Sequence, residues 1–338
     1  MDKSKKIKYA GTALKIIIVL FSFGYIYNKV FHEMQKDEFQ HLSPLQKIED
    51  SSGLFTVAIL LVFLNWALEA LKWKFLVSKV EKVSFGKSYK AVLSGVTVSI
   101  FTPLKMGEYM GRILHLSPEN RIKGTVLTIY GSMAQLFVTI LFGNAALIYF
   151  LPKMYDVSSG LYQWWYYLYI ALIIILNLFF LMALLNPSFL VSAVNKTPLP
   201  RKVKKYFRVL SLFNPAELFK EVLLISALRY VVFSLQFYLC LEIFNIELPL
   251  FDGLAIVAIT FLFLSFLSLS ALMELGFTRS LICLQLVHAF YAYKGSENVV
   301  VDADVWQAST VLWLINLAVP ALFGALFLYG VKIFKSEA

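Results

Sequence analysis

The chain has 338 residues, 59% of them hydrophobic and only 15% charged, with a mean hydropathy of +0.72. A soluble domain carries about 25% charged residues, so this composition excludes an ordinary soluble enzyme and describes an integral membrane protein. Lys and Arg outnumber Asp and Glu by 31 to 21, an excess that cytoplasmic loops of a membrane protein account for without any nucleic-acid partner.

Asp2 to Lys8 is lysine-rich, and Ala10 to Phe31 is apolar enough to span, with Lys15 placed where its stem can snorkel. The run is long for a secretory signal and no small-residue cleavage pattern follows it. It reads as an uncleaved first helix with its amino terminus in the cytoplasm. Residues 32–53 hold Glu33, Asp37, Glu38, Glu49 and Asp50 against Lys36 and Lys47, a composition suited to the outer face. Leu54 to Val77 returns inward, carrying Glu69 between Trp66 and Trp73. It ends in a cluster of Lys72, Lys74, Lys79, Lys82, Lys87 and Lys90 that fixes this end in the cytoplasm.

The next apolar run, Tyr89 to Phe101, rises only about 20 Å as a helix, short of a hydrocarbon core of about 30 Å. Lys105, Arg112, Arg121 and Lys123 follow it. A hairpin that enters from the cytoplasm and returns there satisfies both facts. Gly124 to Leu151 then spans outward, Trp164-Trp165-Tyr166-Tyr167 forms an aromatic belt, and Leu168 to Leu185 spans inward. Residues 187–220 hold Lys196, Arg201, Lys202, Lys204, Lys205, Arg208 and Lys220 among Pro187, Pro198, Pro200 and Pro215, a basic cytoplasmic linker suited to anionic lipid headgroups. Val222 to Phe244 spans outward with Arg229. Gly253 to Leu272 and Arg279 to Tyr293 form a second hairpin, and Val305 to Val331 crosses inward to Lys332 and Lys335.

The fold predicted is all-α and polytopic, with about six full spans and two re-entrant hairpins in an inverted-topology repeat. Its parts are an anchor helix and outer loop (1–53), a first half (54–186), the linker (187–220) and a second half (221–338). Residue-level identity between the halves is not visible. Cys240 and Cys283 lie in apolar runs and read as packing residues.

Ionisable groups inside a membrane cost about 3 kcal/mol each on insertion scales, so they are rare unless paired or functional. Glu69, Glu108, Arg112, Arg229, Glu274 and Arg279 all lie in or beside apolar segments. Structural ion pairing is the alternative reading of the same set. Thr102-Pro103 has the pattern of an N-cap and first helical residue, which would aim free N–H groups, with Lys105 one turn away, at an anion such as a lipid phosphate. Gly107 and Gly111 would let another helix or a lipid approach the backbone. Ser94, Thr97, Ser99, Thr260, Ser265, Ser268 and Ser270 either line a polar cavity or bond their own helix carbonyls. His115 and His288 have no carboxylate at ligand spacing, so no metal is expected, and no nucleophile with a base emerges.

These residues resemble the transmembrane flippase-like region of the lysylphosphatidylglycerol synthases. That family's first motif runs Pro, two residues, Gly-Glu, then Arg three or four positions on. Pro103, Gly107, Glu108 and Arg112 match it with one extra residue before the glycine. Gly276 and Arg279 fit the second, glycine-rich motif loosely, with Ser280 where a glutamate is common and Glu274 in place of a glycine. The resemblance implies binding or translocation of a phospholipid or lipid-linked substrate through a site between the two hairpin turns. It implies neither aminoacyl transfer nor a cofactor. The competing expectations are a membrane-embedded transferase using Glu108 as acid or base, and a non-transporting lipid-binding partner of a lipid-modifying enzyme.

Overall fold

The computed structural model describes residues 44–100, 102, 106–154, 160–198, 200–267, 278–295 and 302–329, and all regular structure among them is helical. A short helix α1 (Pro44–Asp50) leads into α2 (Ser52–Val77). The first hairpin is α3 (Phe85–Ile100) and α4 (Gly107–Ile113), followed by a 3-10 turn and α5 (Arg121–Met154). Then come α6 (Gly160–Leu185), α7 (Pro187–Lys196), α8 (Arg201–Phe207) and α9 (Pro215–Ile243). The second hairpin pairs α10 (Leu250–Leu267) with α11 (Thr278–Tyr293). A last rod joins α12 (Asp302–Trp313) to α13 (Val319–Tyr329) through a π-helical turn at Leu314–Ala318.

Among the described residues six helices are long and apolar enough to cross a membrane: Ser52–Val77, Pro118–Met154, Tyr162–Leu185, Pro215–Ile243, Leu250–Leu267 and Asp302–Leu328. Five coincide with expected spans. The expected first span, Ala10 to Phe31, lies outside the described residues, and the sixth here is the first arm of the second hairpin. Its 18 residues rise about 27 Å, near the thickness of the core, whereas α3, with 16, rises about 24 Å. α3 starts four residues earlier than the apolar run predicts, because Ser84 Oγ accepts the Lys87 N–H at 3.2 Å and caps it.

Local chemistry sets the ends of the central helix α9. Asn214 accepts the Ala216 N–H at 3.0 Å and Pro215 takes the first helical position, where no N–H is needed. At the other end Asn245 adopts φ 63, and the N–H groups of Ile246 and Asn245 bond the carbonyls of Leu241 and Glu242, each at 3.0 Å. These are the two bonds of a Schellman cap.

Three antiparallel pairings hold the bundle. On α2 and α9, Gln236 donates to the Ala58 carbonyl at 2.7 Å while Lys72 lies 3.5 Å from Ser226, so numbers rise on one helix as they fall on the other. α3 runs along α13, with Thr97 donating to the Ala321 carbonyl at 2.7 Å and Lys90 over the Phe327 ring. α10 runs along α5, where Asp252 accepts from Tyr149 at 3.1 Å and also pairs with Lys153. Each hairpin thus packs on the span that follows the other hairpin. The main core joins Trp66 and Trp73 of α2 to Phe237 of α9, Ile256 of α10 and Val287 of α11.

The two ends of the first hairpin meet. Glu81, just before α3, accepts from the Ser117 N–H at 2.9 Å, Asn120 Nδ2 at 3.3 Å and Lys87 Nζ at 3.0 Å. Those donors outweigh the cost of burial and hold its carboxyl down at about 2. Inside the hairpin, glycines let backbones touch: a Cβ on Gly107 would lie 2.3 Å from the Val98 carbonyl oxygen, and one on Gly111 2.5 Å from that of Ser94. α6 is mostly exposed along its length, including Trp164 and Trp165, which is the apolar surface a bilayer would cover. The linker folds as α7, α8 and a 3-10 turn, whose Val209, Leu210 and Phe213 pack with Leu127 and Tyr130 of α5.

Candidate functional site

α2 is an apolar helix that nevertheless buries a carboxylate and an ammonium. Glu69 and Lys72 stand three apart, share one face and pair at 2.8 Å. That face turns toward α9, α4 and α5. From α4, Arg112 Nη1 reaches Glu69 Oε1 at 2.6 Å, and its Nη2 pairs with Glu108 one turn back. From α9, Arg229 Nη1 lies 3.2 Å from Glu69 Oε2 and its guanidinium stacks 5.5 Å from the Trp66 ring. From α5, Gln135 Oε1 accepts from both Lys72 and Arg229 at 3.3 Å, and its amide donates to the Ser226 carbonyl at 3.2 Å. Arg112 can enter because Gly95 of α3 has no side chain: a Cβ there would meet Arg112 Cγ at 2.9 Å.

Glu69 is the hub, a single carboxylate shared by three cations. Formally Lys72, Arg112 and Arg229 stand against Glu69 and Glu108, a surplus of one positive charge. Glu69, Lys72 and Arg112 are sealed, whereas the side chains of Glu108 and Arg229 are 28% and 21% exposed. The cluster therefore opens at one acid and one base. Among the described residues, Arg229 Nε has no hydrogen-bond partner.

The structure brings together four of the residues read from sequence: Glu69, Glu108, Arg112 and Arg229. Pro103, Lys105, Glu274 and Gly276 lie outside the described residues. Arg279 is buried in the first turn of α11. Arg112 takes Glu69 and Glu108 as its partners.

The structure separates several of the alternatives left open by the sequence. Of the expected helix start at Thr102-Pro103, Pro103 lies outside the described residues, and the described helix α4 runs Gly107–Ile113. Thr102 still serves it, since its Oγ1 accepts the Gly107 N–H at 2.7 Å and occupies a donor that an anion would have used. At Gly107 and Gly111 it is a helix that approaches, one of the two partners expected there: the backbone of α3 fills both positions. The hydroxyls of Thr97, Ser99, Thr260 and Ser265 bond carbonyls of their own helices. Ser94 instead shares a 2.8 Å hydrogen bond with His115 Nε2, and His288 pairs with Asp302 at 2.9 Å.

Lys72 was read as one of the cytoplasmic lysines, yet it is 2% exposed. Its spacing from Glu69 was the available signal. Gln135 was missed, although it is a lone amide amid the apolar stretch of α5.

Fold and site together define a polytopic helical membrane protein with a buried, cation-rich centre. A family model described as the lysylphosphatidylglycerol synthase TM region matches residues 13–273, and the chain belongs to that family. No curated protein and no solved structure matches it. Family membership links the protein to the handling of membrane lipid.

Proposed function

We propose that the protein binds the anionic headgroup of a phospholipid or lipid-linked substrate at the Glu69 cluster and carries it across the bilayer. The observation behind this reading is the surplus positive charge, exposed at Arg229, within a segment where unpaired charge is costly. A phosphodiester brings one negative charge and acceptor oxygens to the exposed edge of the Arg229 side chain, so it offsets the surplus of the cluster. Glu108 stands ready for a cationic part of the headgroup. The two hairpin turns, with Pro103 and Lys105 in the first and Glu274 and Gly276 in the second, wall the route near the membrane centre. Basic residues of the linker hold anionic headgroups at the cytoplasmic face, and both termini lie on that face of the cell membrane.

The test is lipid transport in reconstituted vesicles with headgroup-varied lipids, alongside melting in detergent. Arg229→Gln and Glu108→Gln should melt close to the parent protein and lose at least tenfold in transport. A stable Arg229→Gln variant with full transport overturns the assignment. Conversion of a labelled lipid in detergent would point instead to a membrane-embedded transferase. Binding without any change in bilayer asymmetry would point to a lipid-binding partner of a lipid-modifying enzyme.

A further inference from the structure

A second polar group is buried across the α2–α9 crossing, and it contains no charge. Asn65 Nδ2 donates to Asn316 Oδ1 at 3.3 Å, Asn316 Nδ2 to Gln236 Oε1 at 2.5 Å, and Gln236 Nε2 to the Ala58 carbonyl. Asn65 is 1%, Gln236 0% and Asn316 6% exposed, and Asn65 Oδ1 has no partner among the described residues. Asn316 sits in the π-helical turn. Pro320 has no N–H to return to the Asn316 carbonyl, so the helix widens here by one residue.

This trio has the same layout as the charged one. Gln135 of α5 bridges Lys72 of α2 and Arg229 of α9, and Asn316 of the last rod bridges Gln236 of α9 and Asn65 of α2. Lys72 and Gln236 are 164 positions apart (236 − 72), and so are Asn65 and Arg229 (229 − 65). Gln135 and Asn316 are 181 apart (316 − 135), the same interval as Gly143 and Gly324 (324 − 143). Those two glycines make matching contacts, Gly143 with Ala258 of α10 and Gly324 with Leu93 of α3. The equivalences exchange α2 with α9, α5 with the last rod, and α3 with α10. Because α2 and α9 are antiparallel, the exchange is a two-fold rotation that inverts the chain direction, and it carries one trio onto the other. At the position matching the hub carboxylate Glu69 stands Phe233 (69 + 164), which is why the second trio is neutral.

The geometry points to Asn65, Gln236 and Asn316 as a second headgroup station, on the far side of the two-fold from the charged one. It takes the uncharged, hydroxyl-bearing part of the lipid. Carboxamides both donate and accept, as hydroxyls do, and the unpartnered Asn65 oxygen requires a donor. Lys72 and Asn65 are seven residues apart on α2, so the stations are separated by about 10 Å along the helix. The inference rests on the lipid-binding reading and adds a chemical class to it: a phosphodiester lipid with a hydroxylated headgroup.

The experiment measures binding of phosphatidylglycerol and of phosphatidylmethanol to the full chain in detergent. The two lipids share their charge and differ in headgroup hydroxyls. The parent protein should bind phosphatidylglycerol about tenfold more tightly. Asn316→Leu and Gln236→Met should each abolish that preference while leaving phosphatidylmethanol binding unchanged, whereas Arg229→Gln should weaken both lipids alike. The two amide variants are independent routes to the same result, so poor folding of one leaves the other decisive. Equal binding of the two lipids by the parent protein, or a preference that survives in a folded amide variant, overturns the second station alone. Absence of binding by either lipid overturns the lipid-binding reading and this inference with it.

Discussion

Glu69 makes the clearest case at the scale of single residues, because three cations depend on one carboxylate that is almost fully enclosed. Removing one partner of a buried ion pair costs about 3–5 kcal/mol, since the group left behind can neither pair nor reach water. Glu69→Gln should therefore lower the melting temperature in detergent sharply, and Arg229→Gln, at the open edge of the cluster, should lower it much less. Equal melting of the two variants would mean that the cluster is solvated. His115 offers a pH test. Burial and the nearby Lys87 and Lys90 push its imidazole down to about 4 from an ordinary 6.5. The unfolded chain then takes up this proton before the folded one does, so stability is full above pH 6.5 and falls as the pH drops from 6.5 to 4. His115→Gln should flatten that part of the melting-temperature profile, and an unchanged slope would assign it to another group.

At the scale of elements, the first hairpin is held by backbone contact inside and by Glu81 at its mouth. Gly107→Ala places a methyl 2.3 Å from a backbone oxygen that cannot move without separating α3 from α4. Yield or melting temperature should drop accordingly. Gly86→Ala, also in α3 but with nothing within 4 Å, should be neutral or raise stability by up to about 1 kcal/mol through helix propensity. A tolerant Gly107 would show that the two arms are not in close contact in the membrane. The Glu81 tie has its own pH signature. A carboxyl held at about 2 against an ordinary 4.5 adds stability that is complete above pH 4.5 and is lost as the pH falls toward 2. Glu81→Gln should remove that dependence.

For the whole molecule, the closed mouth of the first hairpin makes a topological prediction. Lys82 and Glu119 are both exposed and flank the residues that Glu81 ties together. Cysteines placed there should label from one side of the membrane only, and that side should match reporter fusions at both termini. Labelling from opposite sides would mean that α3 and α4 together cross the bilayer. The reciprocal packing of α3 on α13 and α10 on α5 makes a second expectation, that neither half folds by itself. Expression of residues 54–186 without the rest should leave the Leu93 and Thr97 face of α3 uncovered and give no stable, monodisperse protein.

Composition by itself determined the solvent. A bilayer requires every backbone group to be paired within the protein, and unbroken apolar runs of about 20 residues meet that requirement as helices. Run length picked out five of the six candidate spans among the described residues and left α3 short, and the cost of intramembrane charge singled out Glu69, Glu108, Arg112 and Arg229, with Glu274 and Arg279, before any contact was known. Partners were a different matter. Lys72 belongs to a run of lysines by sequence, and only the rotation of α2 against α9 sends it to the core and not to the cytoplasm. Gln135 and Asn316 are solitary amides in apolar helices until packing brings each between α2 and α9. Topology suggested the repeat, but its residue-level correspondence stayed hidden for the same reason. Matching positions hold different side chains, Lys72 with Gln236 and Glu69 with Phe233, so likeness lies in which helices touch and not in which residues recur. Sequence sets what a segment can bury; only tertiary packing sets what each buried group meets.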